Sequence, residues 1–474
     1  MVNKPTSENL RVFSRSDSRL LARLGEFADE QQVSLFVVGG YVRDRLLKLP
    51  VKREMDFSVV GDAVVFANRL AEYLHVRNPV IFARFGTAMV PYRGYHLDFV
   101  SAREETYREH SRKPKVTSAG LVADLQRRDF TVNAMAASLN TDGYGILIDL
   151  FGGMKDLEAK TLRTPLEPDR TFSEDPLRIL RALRFAAQLE FGIELETRQS
   201  LERMVERLKI ISQERITEEF LKLMAARKPS IGLRLLYLTG VMDVIFPEIS
   251  KLSGVEQIGP HHHKDVFEHT LMVVDKISEL TEDPILRLAA LVHDIAKPKT
   301  KRFAPDAGWT FHGHEDLGSR MVKSIGKRMK LPEEATVKLS KIVALHMRPI
   351  NLTREEVTDS AVRRLIVDAG DDLGDLLTLC RADITSAKPN KVKRYLTAFD
   401  ALSERITEVI EKDNLRAFQS PVRGEEIMAV CNIPPGPLVG KIKKALEDAI
   451  LDGHVPNEHD PVLELLHQIK SQYI

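Results

Sequence analysis

The sequence predicts an α+β protein, with a mixed α/β unit at the N-terminus and an all-helical remainder. Two observations predict it. Glycine and β-branched residues concentrate before about residue 150, and strand signals largely stop after the segment PLEPDRTFSEDP. Beyond that segment apolar residues recur at helical spacing. The length of 474 residues suits about three domains, and a hydrophobic fraction of 43% supplies several packed cores.

In the first part, FVVGG, MDFSVV, TAMVPY, YHLDFVS and GILIDL read as short strands. Between two of them, Val64, Val65, Ala67, Leu70, Ala71 and Leu74 have the spacing of one helix face. The remainder reads as helices: PLRILRALRFAAQL, RITEEFLKLMAA, ILRLAALVHDIAK, TVKLSKIVALHM and VGKIKKALEDAIL. Breaks are expected near Pro165–Pro168, Gly259–Pro260 and Pro421.

Lys plus Arg number 69 and Asp plus Glu 68, so bulk charge announces no nucleic-acid partner. Cys380 and Cys431 lie far apart without a CxxC neighbour, which argues against a disulfide framework and a thiolate zinc site. The N-terminus lacks an apolar leader, and no apolar run approaches ~20 residues. A soluble cytoplasmic protein with no membrane partner is expected.

Candidate chemistry begins at FVVGGYVRD and REMDFSVV. Alternate residues of a strand share a face, so Glu54 and Asp56 point one way and Met55 the other. Asp98, in YHLDFV, adds a carboxylate on a neighbouring strand. Hard carboxylates suit Mg²⁺, which phosphoryl transfer to a hydroxyl requires. Gly39 and Gly40 permit a tight turn and close approach of phosphate to backbone N–H groups, with Arg43 just beyond to hold triphosphate oxygens. A lone GG or a lone ExD is an ordinary turn or solvated charge; the ordered set is what carries weight.

DLQRRDFTVNAMA follows, with Arg127, Arg128, Asp129 and Asn133 opening an apolar run. Alone, it reads equally well as a charged helix start. In FSEDPLRILRALRFA, Ser173 suits an N-cap and Pro176 a first helical turn. Asp175 and Arg178, three apart, are then neighbours on one helix face, either as a plain ion pair or as a template for a base. A carboxylate accepting from an exocyclic amine, beside a guanidinium donating to a ring nitrogen, fits cytosine and adenine. Uracil and guanine would leave buried polar groups unpaired.

GGYVRD, the acidic pair, RRDFTVNA, EDPLR and SQERITEEF, in this order, resemble the class II tRNA nucleotidyltransferases and the related bacterial poly(A) polymerases. The resemblance covers most of the chain. It implies a nucleotidyltransferase head (residues 1–165), a helical neck (166–255), an HD domain (256–400) and a C-terminal tRNA-binding segment (401–474). It assigns metals to Glu54 and Asp56, triphosphate to Gly39, Gly40 and Arg43, ribose to Asp129, and base choice between CTP and ATP to Asp175 and Arg178. Glu214, Arg215 and Glu218 become structural supports. The commoner family form of the acidic pair is DxD, where this chain has Glu54. The basic GRRF-like run of poly(A) polymerases is missing from VIFARFGTAMVPY. AREETYREHSRKPKV resembles the flexible loop of CCA-adding enzymes, with Arg103, Glu104, Tyr107 and Glu109 to Arg112 as its notable residues. CCA addition to tRNA is therefore expected. The alternatives are poly(A) addition, CC-only addition, and an HD phosphohydrolase with an inactive head.

In the middle of the chain, His269, His293, Asp294 and Asp383 resemble the H…HD…D order of HD-domain phosphohydrolases. Such a set suits manganese, nickel, iron or zinc. His312, His314 and His346 are candidates for a second metal position, and His261 to His263 read as a loop or a ligand source. Lone buried histidines are mostly core residues; this ordered group is not lone. Near the C-terminus, IPPGP opens an amphipathic helix carrying Lys441, Lys443 and Lys444, either a solvated face or an RNA phosphate contact.

Overall fold

A computed structural model of the chain describes residues 10–13, 19–50, 53–82, 86–108, 111–118, 120–259, 262–306, 308–353, 358–385, 389–413 and 420–474. Two compact units divide it, Met1–Phe246 and Pro247–Ile474.

The first unit is built on a seven-stranded sheet. Its strands are β1 (Ser34–Val38), β2 (Glu54–Val60), β3 (Val80–Phe82), β4 (Thr87–Tyr92) and β5 (Tyr95–Ser101). Outside it runs a hairpin, β6 (Arg103–Arg108) and β7 (Ser111–Ser118), before β8 (Met135–Ser138) and β9 (Leu147–Asp149) complete the sheet. The order is β3-β4-β5-β2-β1-β8-β9. Only β2 and β5 pair in parallel; the other neighbours are antiparallel.

Three helices pack against strands of this sheet: α1 (Arg19–Glu30), α2 (Gly40–Leu46) and α3 (Ala63–Tyr73). Asp62 caps α3 by accepting from the N–H groups of Val64 and Val65. In the β2–β5 register Asp56 lies opposite Asp98 and Phe57 opposite Phe99. The pleat therefore turns both acids to one side and both rings to the other. The rings are fully buried and stack at 4.8 Å, with Phe66 of α3 5.5 Å from Phe99. Each buried ring contributes about 1.5–3 kcal/mol. A one-residue slip would put the rings in the pocket and the acids in the core.

The unit continues with α4 (Leu121–Gln126), α5 (Gly153–Glu158), β10 (Thr161–Leu162), α6 (Pro168–Glu174), α7 (Leu177–Leu189), β11 (Gly192–Ile193), α8 (Leu195–Arg203), α9 (Gln213–Met224), α10 (Pro229–Leu238) and α11 (Val241–Ile245). α7 packs against α9 and α10. Gly232 permits that approach, since a Cβ there would meet Leu223 at 2.7 Å and Ala187 at 3.0 Å.

The second unit starts with α12 (Pro247–Ser250), the hairpin β12 (Glu256–Gly259) and β13 (His262–Asp265), α13 (Val266–Ser278), α14 (Pro284–Val292) and α15 (Lys297–Thr300). A further hairpin, β14 (Arg302–Ala304) and β15 (Gly308–Thr310), precedes α16 (His314–Arg328), α17 (Glu333–Leu345), α18 (Met347–Leu352), α19 (Asp359–Ala369), α20 (Leu373–Asp383) and α21 (Pro389–Asp413). The end of the chain forms α22 (Gly424–Cys431), α23 (Pro437–Leu451) and α24 (His459–Ile469) around Ile427, Cys431, Leu446 and Leu466. Asp452 ties this end to α19 through Ser360 and Arg364. Among the described residues no helix is long and apolar enough to cross a membrane.

The expected strands and helices form, and IPPGP does open a helix at Pro437. Two expectations are corrected. AREETYREHSRKPKV, expected as a loop, pairs as the β6–β7 hairpin along its described backbone. Ser173 is not an N-cap but lies inside α6, and Pro176 stands just before α7. Glu109, Pro260 and His261 lie outside the described residues.

Gly25 of α1 faces the backbone of Leu139, where a Cβ would sit 1.8 Å from the carbonyl oxygen. Gly25→Ala is expected to destabilise the first unit by about 1–3 kcal/mol through forced backbone displacement, read as a lower urea midpoint.

Candidate functional site

Every residue expected in the head site lines one cavity of about 630 Å³: Gly39, Gly40, Arg43, Glu54, Asp56, Asp98, Arg128, Asp129, Asn133, Asp175 and Arg178. They arrive from separate segments. β1 ends at Val38, and the chain turns at Gly39 with φ of +73°, a left-handed value that favours glycine. A Cβ on Gly39 would meet Arg128 Nη1 at 2.8 Å and approach Asp56 Oδ2 at 3.7 Å. The missing side chain thus keeps a gap between a guanidinium and a carboxylate.

Asp56 and Asp98 face that gap from adjacent strands. Desolvation at the cavity floor raises both carboxyls above their ordinary value. For Asp98 the neighbouring Asp56 adds to the rise, and for Asp56 the charges of Arg128 and Arg181 oppose it. The carboxylate oxygens of Glu54, Asp56 and Asp98 in this cavity are the donor type that suits a hard divalent cation.

The cationic wall is preassembled. Arg43 donates to Asn133 Oδ1 at 2.7 Å and to Asp44 Oδ1 at 2.6 and 2.8 Å. Asn133 in turn donates to Asp129 Oδ1 at 3.0 Å. Arg181 grips Asp129 Oδ2 at 2.5 Å. Burial would raise Asp129, but the Arg181 charge and the bonds from Asn133 and Arg181 hold it at about 2. Buried Asp124 accepts from Arg127 at 2.5 Å and from Arg128 at 3.3 Å. Three guanidiniums, Arg43, Arg181 and Arg184, lie 5.1, 5.4 and 4.0 Å from the centre of the Phe185 ring. Burial lowers Arg184 to about 10 despite Glu219 beside it.

Asp175 and Arg178 do not share a helix face. The residue before a proline is disfavoured in the helical region, and Asp175 is extended at φ of −139°. The break separates α6 from α7. Asp175 accepts from the Leu177 N–H at 3.2 Å and lies 3.5 Å from Arg215. Arg178 donates to the carbonyls of Thr171 and Arg127 and lies 3.6 Å from Glu174. RRD does not open a helix either: it links α4 to a single 3₁₀ turn, Thr131–Asn133.

The expected support Glu218 is also corrected. It is exposed and pairs with Lys222, while Glu219 is buried and holds Arg184 at 2.8 Å. The helical phase of α9 carried that signal, since Glu219 is three residues after buried Ile216 and four before buried Leu223. Asp44, Arg181, Arg184 and Phe185 were not anticipated. Arg178, Arg181 and Phe185 follow one helical stripe, which was the available clue.

The second unit holds another cluster. His269, His293 and Asp383 form one set, and Asp294, His314 and His346 another, with the ligand atoms of each set within 4.8 Å of one another. His293 and His346 follow the last residues of α14 and α17, and His314 opens α16. Nδ1 of each bonds a carbonyl three residues back: Ala290 at 2.8 Å, Val343 at 2.7 Å and Phe311 at 2.9 Å. A carbonyl only accepts, so Nδ1 carries a proton in each ring and Nε2 is the nitrogen turned to the cluster. His314 Nε2 and His346 Nε2 stand 3.2 Å apart. Asp294 bridges the sets, Oδ2 lying 3.2 Å from His293 and Oδ1 3.4 Å from His314. His312, expected with them, belongs to neither set.

Buried His293 Nε2 and Asp294 Oδ2 have no hydrogen bond of good geometry, although Lys297 Nζ lies 2.6 Å from that oxygen. Burial opposes charge on His293, but Asp294 and Asp383 outweigh it and push it up to about 10. Burial and the His293 charge push His346 down to about 4. Imidazole nitrogens and carboxylate oxygens gathered in two close sets fit cations with mixed nitrogen and oxygen ligands.

Residues 35–163 match the poly A polymerase head domain, residues 190–252 the probable RNA and SrmB-binding site of polymerase A, and residues 266–386 the HD domain. The multifunctional CCA protein of Methylococcus capsulatus is 35% identical, over 82% of this chain and 90% of its own length. The chain belongs to the tRNA nucleotidyltransferase family. The A-adding tRNA nucleotidyltransferase of Deinococcus radiodurans is 34% identical, over 70% of this chain and 76% of its own. A tRNA nucleotidyltransferase solved with a primer tRNA and an incoming ATP analogue has a TM-score of 0.57 and 27% identity, over 80% of this chain and 99% of its own. Both this family's head and its HD domain are thus present, and the head cavity and histidine cluster lie within the matched segments or, for α6 and α7, between them.

Removing Glu219 leaves Arg184 buried without its carboxylate. Glu219→Ala is expected to cost about 3 kcal/mol and Glu218→Ala less than about 0.5 kcal/mol, compared by urea denaturation. The Asp129 contribution to stability is complete above its ordinary value near 3.8 and is lost as pH falls through about 2. Asp129→Asn should therefore flatten the fall in stability across that acid window.

Proposed function

We propose that this nucleotidyltransferase builds or repairs the 3′-terminal CCA of tRNA from CTP and ATP without a nucleic-acid template. The observation that supports it best is the one cavity into which six separate segments deliver acids, arginines and the base-reading pair. Arg43 and Arg128 hold triphosphate beside the Gly39 turn. Asp129 and Asn133 position the ribose. Asp175 and Arg178 select an amine next to an acceptor nitrogen, as cytosine and adenine present. Mg²⁺ held by Glu54 and Asp56 would supply neutralising charge for the triphosphate and lower the pKa of the attacking hydroxyl. The RNA 3′-oxygen bonds to the α-phosphorus, pyrophosphate leaves, and Asp98 takes the hydroxyl proton.

The division into head (1–165), neck (166–255), HD domain (256–400) and C-terminal segment (401–474) belongs to the same reading, as does action in the cytoplasm. Lys441, Lys443 and Lys444 of α23 meet tRNA phosphates, so affinity falls steeply with salt. Glu54 keeps the charge of the commoner aspartate.

The deciding experiment incubates the protein with tRNA ending at its discriminator base, with CTP and ATP apart and together. Two cytidines from CTP, and CCA from both, are expected. Addition of A only to tRNA ending in CC would place the chain with its A-adding relatives, and a stop at CC would make it a CC-adding enzyme. Long A tails on unrelated RNA would make it a poly(A) polymerase. Asp56→Ala should lower incorporation by about a hundredfold or more, while Glu54→Asp keeps it.

The histidine cluster favours a second activity, hydrolysis of phosphate esters at RNA ends. His269, His293, Asp294 and Asp383, with His314 and His346, would hold manganese, nickel, iron or zinc. Elemental analysis should find metal, and 2′,3′-cyclic AMP should be opened by wild type but not by His293→Ala. No metal and no turnover in either protein would make the domain structural.

A further inference from the structure

The only tryptophan of the chain, Trp309, sits on a surface hairpin and not in a core. It lies opposite Phe303 in the β14–β15 register, and the rings meet edge to face at 5.3 Å. Phe303 is 64% exposed, unusual for a phenylalanine with no buried role. Lys301 Nζ stands 4.4 Å from the Trp309 ring centre. The run KPKTKR brings Lys297, Lys299, Lys301 and Arg302 into the approach to the hairpin.

The segments that flank the hairpin on both sides reach the histidine cluster. On one side Lys297 reaches Asp294 Oδ2 at 2.6 Å and also lies 5.6 Å from the Phe311 ring. On the other, Phe311 offers its carbonyl to His314 Nδ1 at 2.9 Å. An exposed phenylalanine beside a half-buried indole, flanked by cations, is the chemistry that stacks unpaired bases and holds their phosphates. Double-stranded RNA hides its base faces and would gain little here.

We propose that the β14–β15 hairpin is a stacking platform for a single-stranded RNA 3′ end, which it presents to the histidine–aspartate cluster. Phe303 and Trp309 take the bases, and Lys299, Lys301 and Arg302 take the phosphates. The delivery role rests on the phosphohydrolase reading of that cluster, whereas the platform itself does not.

Trp309 is its own reporter. Full-length protein is titrated with pentaadenylate ending in a 2′,3′-cyclic phosphate, and tryptophan emission is followed beside ring opening of the terminal phosphate. Saturable quenching is expected, with a half-saturation concentration about tenfold higher in Phe303→Ala and in Lys301→Gln. KM for ring opening should rise in parallel while kcat stays within about twofold. His293→Ala should abolish ring opening and keep the quenching. Both hairpin variants alter exposed or half-exposed side chains, and an unchanged melting temperature verifies the fold. Absence of quenching, or quenching untouched by both variants, overturns the platform whether or not hydrolysis occurs. Quenching weakened by both variants without any hydrolysis supports the platform and overturns the phosphohydrolase reading.

Discussion

The parallel pairing of β2 with β5 is the constraint on which the head depends. Asp56 opposite Asp98 and Phe57 opposite Phe99 are consecutive rungs of one ladder. The stacked rings lock the register, and the register places the acids. Burial raises both carboxyls, and for Asp98 the charge of Asp56 across the rung adds to the rise. The apolar rung therefore sustains a polar rung that would not assemble unaided. This is the ordinary relation between a strained site and the core that holds it.

The helical half of the cavity obeys a different constraint. Pro176 ends α6 before Asp175 and starts α7 afresh, so the carboxylate leaves from the break and the guanidinium of Arg178 from α7. α7 then lays Arg181 and Arg184 against Phe185, and Glu219 from α9 balances them from below. The second unit solves the ligand problem with helix ends. His293 and His346 follow helix termini, where a ring nitrogen can reach a free carbonyl one turn back.

Much of this was legible in the sequence because strand alternation and motif order are local signals. EMD with Met55 buried between two outward acids follows from the pleat alone. The H…HD…D order marks four of the six residues of the histidine cluster. What escaped was what depends on phase and breaks. Adjacent Glu218 and Glu219 are distinguished only by which one the Ile216–Leu223 face carries inward. Asp175 and Arg178 looked like helical neighbours until the restriction imposed by Pro176 was applied to the residue before it. The β6–β7 pairing came from a stretch dense in charge, where no apolar alternation marks strands. Arg181 was missed because a basic residue on an amphipathic helix ordinarily reads as surface.

The partnering of Arg43 with Asp44 and Asn133, and of Arg181 with Asp129, has a further consequence. These guanidiniums already own anions, so on the proposed function a triphosphate would trade contacts and not fill a vacant positive hole. An exchange of that kind discriminates by completeness. A ligand that brings phosphate without a sugar breaks old bonds and replaces only some of them, and one that brings the full nucleotide replaces them all. On the proposed function, the ion pairs that keep the side chains in place would also set free phosphate at a disadvantage to a whole nucleotide.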